Sequence, residues 1–414
     1  MPSVALLLIL LTPLTAQATV TTPIRPALTI KTVDADVAES IADTFYGSTS
    51  SKSRLPRRGY GDCYVLSVGG DARLVLTTEN GVSSFLQMRA KPTELAEIFA
   101  DQIGEKRQWV SAFAGSAAGG IGATPEELIA LVEDVFAFPA QIEALSIDVD
   151  GSPRAGFNGT LDVLSTHTGW LSELIGEMRT NSAGAPTVAD ADALFRLSIN
   201  MENTTLRKVA RRLLGFAIGA AASDPQSKQK YAAMMQDTVG LFDGTMAMAL
   251  ASDGKGQKLL CGLLDARRLA SLINSADFKS WRQANAEANP MADVEFVDAA
   301  LTHRQVDCNK QVTEVSMPGG QNNKTTQFTG VAGSFLLGAA SESDSRSLID
   351  AILDQSVKRG PLPDNALFTM SARVAELVRA LSNGMAGGED MPASFDVALN
   401  KRDHRLNFTF KVGM

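Results

Sequence analysis

The chain has 414 residues, with 38 Lys and Arg against 46 Asp and Glu for a formal charge of −8, and 45% hydrophobic content of which little is aromatic. That length supports two domains, each burying its own core, and the acidic balance argues against a nucleic-acid partner. Few aromatics and 34 glycines point to helices packed closely on sheets and away from an aromatic-lined sugar cleft.

At the front, Val4 to Leu11 is an apolar run too short to span a bilayer, and Ala16-Gln17-Ala18 has the small-x-small form of a cleavage site. Residues 1–18 are therefore expected to be a signal peptide, although they carry no Lys or Arg and their positive region reduces to the amino terminus. Thr19, in place of Cys, argues against a lipoprotein. No later apolar run reaches about eighteen residues, so the expectation is a soluble exported protein, periplasmic or extracellular, without a transmembrane anchor.

Ala27 to Lys31 reads as a strand and Asp34 to Phe45 as a helix with Val37, Ile41 and Phe45 on one face. The linker 47–59 carries Lys52, Arg54, Arg57 and Arg58 and reads as a solvated loop. Strands follow from Cys63 to Val68 and from Arg73. Glu79-Asn80-Gly81 then turns the chain into Phe85-Leu86-Gln87-Met88, which predicts a hairpin followed by a helix at Glu94. The glycine-rich run 115–122 lacks the spacing of a phosphate-binding loop; Thr124-Pro125-Glu126-Glu127 after it is a capping box opening a helix.

Leu145, Ile147 and Val149 alternate before Asp150-Gly151, and Phe157 to Leu164 runs back as the second strand of a hairpin. The next helix aligns Leu171, Leu174, Ile175 and Met178. After a strand at Ala193 to Ser198, a helix sets Leu206, Val209, Leu213 and Leu214 opposite Arg207, Lys208, Arg211 and Arg212, a core helix with a solvated back. Thr245 to Ile273 reads as strand, turn, strand and helix: Met246, Met248 and Leu250 alternate, Ser252-Asp253-Gly254-Lys255 turns, and Leu259 to Leu264 returns. Strands are expected at Val294 to Leu301 and Val306 to Val315, a polar loop at Ser316 to Thr326, and strand again from Phe328 to Ala340. A helix bearing Leu348, Ile349, Ile352 and Leu353, a strand at Ala366 to Ser371, a helix through Leu381 and a hairpin from Ser394 to Val412 complete the chain.

Several segments recur at one spacing. Gly81 falls 173 residues before Gly254, Ala193-Leu194-Phe195 falls 173 before Ala366-Leu367-Phe368, and Leu174-Ile175 falls 174 before Leu348-Ile349. Ala27-Leu28 opens a further copy of the same strand-helix unit. The order of the matches predicts a tandem duplication, with a first half at 19–190 and a second at 191–414 closed by the C-terminal hairpin. Each half is expected to be α+β, an antiparallel sheet covered on one face by helices.

With Lys91-Pro92-Thr93-Glu94-Leu95 after a hairpin strand, this layout resembles exported bacterial proteins of unknown function that alternate hairpins with helices in two related halves. The resemblance implies the fold and no catalytic or binding residue.

Chemistry is sparse. Cys63, Cys261 and Cys308 allow one internal disulfide; Cys261 and Cys308 share a half and form the expected pair, worth about 4 kcal/mol on the chain-entropy model, with three buried reduced thiols as the alternative. His167, His303 and His404 lie in different segments, and neither a nucleophile elbow nor a zinc motif accompanies them. Ser227 and Lys230 make an isolated S-x-x-K. The sequence therefore yields no catalytic, metal or cofactor residue. It predicts a non-catalytic binding or scaffold protein offering sheet surface or an inter-half groove to a protein partner or an apolar ligand. The alternative is a hydrolase, which requires His167 or His303 to meet a carboxylate and a Ser or Cys.

Overall fold

Three short segments set the plan of the strands. Ala27, Leu194 and Leu367 each donate a backbone hydrogen bond of 2.8 Å, to Val68, Leu250 and Leu399 respectively. Each bond lies just ahead of a strand, and Leu28, Leu194 and Leu367 are all buried. The computed structural model describes residues 26–46, 55–69, 74–81, 84–117, 133, 136–188, 192–205, 207, 225–251, 256–287, 292–316, 322–381 and 392–414. The expected signal peptide, most of the linker, the capping box, the Ser252–Lys255 turn and most of the basic helix face fall outside those residues.

By its contacts the chain divides into two compact units. One takes the described residues up to Ser116, those from Glu133 to Gly176, and Lys401–Met414; the other holds Glu177–Asn400. This division differs from the expected boundary between residues 190 and 191. The final strand joins the first unit, because Arg405–Val412 pairs with Phe157–Leu164.

In the first unit, β1 (Leu28–Thr32) leads through helix α1 (Ala35–Tyr46) to β2 (Asp62–Val68) and β3 (Leu74–Asn80). Ala38 and Ala42, one turn apart on α1, are fully buried. Then come β4 (Leu86–Ala90), helices α2 (Pro92–Ile98) and α3 (Ala100–Ala117), and the long hairpin β5 (Ile142–Ser152) and β6 (Gly156–Ser165), followed by helix α4 (Trp170–Glu177). Every pairing is antiparallel, in the order β3, β2, β1, β4, β5, β6 and the C-terminal strand. The expected hairpin between β3 and β4 does not form. A strand has two edges, and β1 uses one on β2 and the other on β4, so β3 and β4 are held apart by the strands between them.

The second unit contains β7 (Ala185–Pro186), β8 (Phe195–Asn200), α5 (Pro225–Gly240), β9 (Phe242–Leu250), β10 (Gln257–Leu263), α6 (Ala266–Ile273) and α7 (Ala276–Glu287). It continues through β11 (Ala292–His303), β12 (Val306–Ser316), β13 (Asn322–Ala332), β14 (Phe335–Ala339), α8 (Glu342–Leu353), β15 (Arg359–Gly360), β16 (Phe368–Ala372), α9 (Val374–Leu381) and most of β17 (Ser394–Arg402); β18 (Arg405–Gly413) is the strand that joins β6. Its sheet runs β11, β12, β13, β14, β10, β9, β8, β16, β17, again antiparallel throughout. Here β9 and β10 do form the expected hairpin. The expected polar loop ends early, at Asn322, and the strand expected from Phe328 to Ala340 is two strands turning at Gly333, where φ is +53°.

The pairing of β8 with β16 is symmetric: Leu197 faces Met370, while Phe195 faces Ala372 and Ile199 faces Phe368. Each of these pairs joins residues equally distant from a centre at Leu197 and Met370, which are themselves 173 apart. The two-stranded β7–β15 ladder behaves alike, with Ala185 on Gly360 and Pro186 on Arg359.

Helices cover both faces of the β10–β14 region, where one covered face was expected. Leu348, Ile349 and Ile352 of α8 pack with Phe328, Ala332, Phe335 and Leu337. Leu269 of α6 packs with Leu263 and the half-buried Val331 and Leu336. Successive strand residues point to opposite faces, and β13 and β14 are apolar at both parities near their shared turn, so each face demands a helix.

Candidate ligand cavity

Helix α6 is well anchored. Asp265 caps it by accepting a hydrogen bond from the Arg268 backbone N–H at 2.9 Å, and Leu269 is almost fully buried. Helix α7 is different: none of its residues is fully buried, and Phe278, Trp281, Arg282 and Ala286 are half-buried. Phe278, Trp281, Arg282, Asn285 and Ala286 recur at helical spacing on one side of it, and that side looks onto a cavity of about 450 Å³.

The cavity floor is sheet. Ala292, Val294 and Phe296 alternate along β11, and Asn309, Gln311 and Thr313 of β12 lie beside them, with Lys310 also reaching the lining. Leu269, Ile273 and Phe242 close the side toward α6. Four aromatic side chains thus meet around one space in a chain poor in aromatics, because composition averages over the whole sequence and packing does not. Phe278 and Trp281 lie 5.4 Å apart between ring centroids.

The floor's amides are engaged within the protein. Gln311 Nε2 donates to Thr313 Oγ1 at 3.1 Å, and Asn309 Oδ1 accepts from the Ala299 backbone N–H at 2.9 Å. Ala299 has φ of +48° and lies where the β11–β12 register shifts between Val297 and Leu301. This bulge carries Asp298. The Asp298 carboxylate meets Lys279 at 2.7 Å and Arg282 at 3.2 Å, both on α7. The Lys279 hydrogen bond and then that of Arg282 hold its carboxyl below the usual carboxylate range, partly opposed by desolvation. The Arg282 guanidinium also lies 4.1 Å above the Phe296 ring centroid. Two donors on this wall, Trp281 Nε1 and Arg282 Nε, are buried without an acceptor.

The histidines singled out in the sequence are placed elsewhere. His303 Nε2 lies 2.8 Å from Asp350 Oδ1, and Arg304 bridges Asp350 and Asp354. The His303 and Arg304 hydrogen bonds hold the Asp350 carboxyl below its usual value, the His303 bond contributing most. The other His303 nitrogen faces Arg346 Nη1 at 3.5 Å, so among the described residues neither a Ser nor a Cys partners this ring. His167 and His404 pack edge to face at 6.0 Å. Lys230 of the S-x-x-K pairs with Asp277 at 2.7 Å. All three cysteines are free and buried, so the expected Cys261–Cys308 bridge is not formed; each thiol is packed in its own strand. Among the described residues no group of three or more His, Cys, Asp and Glu is placed to hold a metal ion, and no helix is long and apolar enough to cross a membrane.

The cavity itself was missed by sequence reasoning, although the spacing of Phe278, Trp281, Arg282 and Ala286 on an otherwise polar helix was its available signal. No protein-family model matches the chain, and no curated protein matches it. Among solved structures, crystal form III of TP0453 is similar over 56% of this chain and 77% of that one, at 12% identity and a TM-score of 0.28. Crystal form I of TP0453 is similar over 56% and 79%, at 10% identity and a TM-score of 0.29. At that level of similarity nothing about fold or function passes from one protein to the other.

Proposed function

We propose that this chain is an exported, non-catalytic binding protein that holds an apolar ligand in the cavity beneath α7. One observation carries the reading: α7 turns two aromatic side chains toward the sheet, yet none of its residues is fully buried, and a space of about 450 Å³ lies beside them. Side chains lining such a space forfeit dispersion contacts that an occupant would supply, and the volume falls within the roughly 300–1,000 Å³ of small-molecule sites. Export rests on residues 1–18. The symmetric pairing of β8 with β16 and of β7 with β15, at the 173–174 spacing of the sequence matches, supports descent of the two halves by duplication. The hydrolase alternative gains a His303–Asp350 pair and, among the described residues, no nucleophile beside it.

The test uses N-phenyl-1-naphthylamine, a neutral fluorophore that brightens in apolar surroundings. The wild-type protein should bind it saturably, and Ala286→Phe, which fills the space, should weaken binding about tenfold with an unchanged circular dichroism spectrum. A wild-type protein that fails to brighten the dye, or a filled variant that binds as well, defeats the proposal.

A further inference from the structure

The geometry points to an amphiphile with an anionic head group as the occupant, its acid seated against Arg282 and its tail among the aromatic side chains beneath α7. This rests on the cavity being a binding site, and it follows from unmet charge and unmet donors on one wall. Lys279 and Arg282 share the single carboxylate of Asp298, the shorter contact going to Lys279. One positive charge is therefore in excess, on a guanidinium whose side chain is only 18% exposed. The acidic neighbours Asp293 and Glu295 do not correct this, because they alternate with Val294 and Phe296 and so take the opposite face of β11.

Arg282 Nε and Trp281 Nε1 add two buried donors that lack an acceptor. Buried donors are almost always satisfied, so an orphan lining a cavity is a place where an acceptor would be stabilised. The floor shows no matching need, since Gln311 and Asn309 already bond within the protein. Among the lining residues the orphaned buried polar atoms are thus donors of α7, and Lys310 of β12 adds a second cation to the lining, which fits a group rich in acceptors and negatively charged better than a polyol. A carboxylate or a phosphate accepts two N–H bonds from a guanidinium edge, and the adjoining apolar wall suits an alkyl chain. No residue of α7 is fully buried, so both donors lie on a helix that borders the cavity and is not locked into the core.

Titration of the full chain with laurate, dodecyl phosphate and methyl laurate, followed by tryptophan fluorescence, tests the assignment. One or both anions should bind at least about tenfold tighter than the ester. Whichever anion binds tighter identifies the source as a free fatty acid or a phosphate-bearing lipid. Arg282→Gln should weaken that anion about tenfold more than it weakens the ester, while Asp298→Asn, which removes the competing carboxylate, should tighten it. Equal affinity for anion and ester, or an Arg282→Gln variant that binds the anion normally, overturns the head-group assignment and leaves the cavity reading standing. Failure of all three probes to bind overturns both.

Discussion

Replacing Arg359 by Met should unfold the second unit more easily by about 3 kcal/mol. Arg359 on β15 reaches Asp243 at the start of β9 at 2.7 Å, across 116 residues of sequence, and lies 4.5 Å above the Phe335 ring centroid. The Asp243 side chain is 9% exposed, so removing its cation strands a charge in a poorly solvated place. Breaking such a pair from one side costs roughly 3–5 kcal/mol. The lower end applies here, because Asp243 keeps hydrogen bonds from the Thr245 backbone N–H at 2.8 Å and the Thr245 hydroxyl at 2.7 Å. Methionine preserves the apolar cover on Phe335 and isolates the electrostatic part. Urea denaturation of a Trp109→Phe, Trp170→Phe background reads the second unit through Trp281. With a slope of about 2 kcal/mol per molar, the midpoint should fall by about 1.5 M. Adding Asp243→Asn to Arg359→Met should cost little more, giving a coupling energy of about 2 kcal/mol. A midpoint shift below about 0.5 M, or single effects that simply add in the double variant, would refute the reasoning.

Other consequences follow from the same packing. A Cβ at Gly262 would lie 2.2 Å from an Asp243 carboxylate oxygen and 2.4 Å from the Thr245 hydroxyl, so Gly262→Ala should displace the ion pair and cost about 2–3 kcal/mol by urea denaturation; Gly262→Ala in the Arg359→Met background should cost less. Leu337 is fully buried between β14 and α8, and Leu337→Ala should destabilise by about 2–5 kcal/mol, while the same change at the exposed Leu264 stays within about 0.5 kcal/mol. Native protein should show no thiol reactive toward a disulfide reagent at neutral pH, and three after unfolding without reductant. Burial pushes the Cys261 thiol up to about 12 and the Cys308 thiol up to about 11, with weaker contributions from Asp243 and Asp307 respectively. Folding therefore favours their protonated forms. That contribution is complete below the unfolded thiol value of about 8.5 and is lost as pH rises toward the folded values. Stability should fall across that alkaline window more steeply than in a Cys261→Ala, Cys308→Ala variant.

The candidate site was only half legible. Val294 and Phe296 are readable from their period of two, and Phe278, Trp281 and Ala286 from their helical spacing, but no local pattern says that the two surfaces enclose a space. The β11 bulge that aims Asp298 at α7 is a mismatch between two strands and belongs to neither alone.

By itself the sequence determined the elements whose cause is local. The alternation of Met246, Met248 and Leu250 yields one strand of the β9–β10 hairpin, Leu348, Ile349 and Ile352 mark the buried side of α8, and Ala27-Leu28, Ala193-Leu194 and Ala366-Leu367 announce three strands. Only the tertiary structure decided which strands meet. Period two states which side of a strand is apolar and is silent about its neighbours, so β1 could stand between β2 and β4 where a β3–β4 hairpin was expected. It also decided that Cys261 and Cys308 stay apart, that Asp243 finds Arg359, and that α7 spans a cavity instead of filling it. Each of these depends on distances between residues far apart in the chain, which side-chain periodicity does not encode.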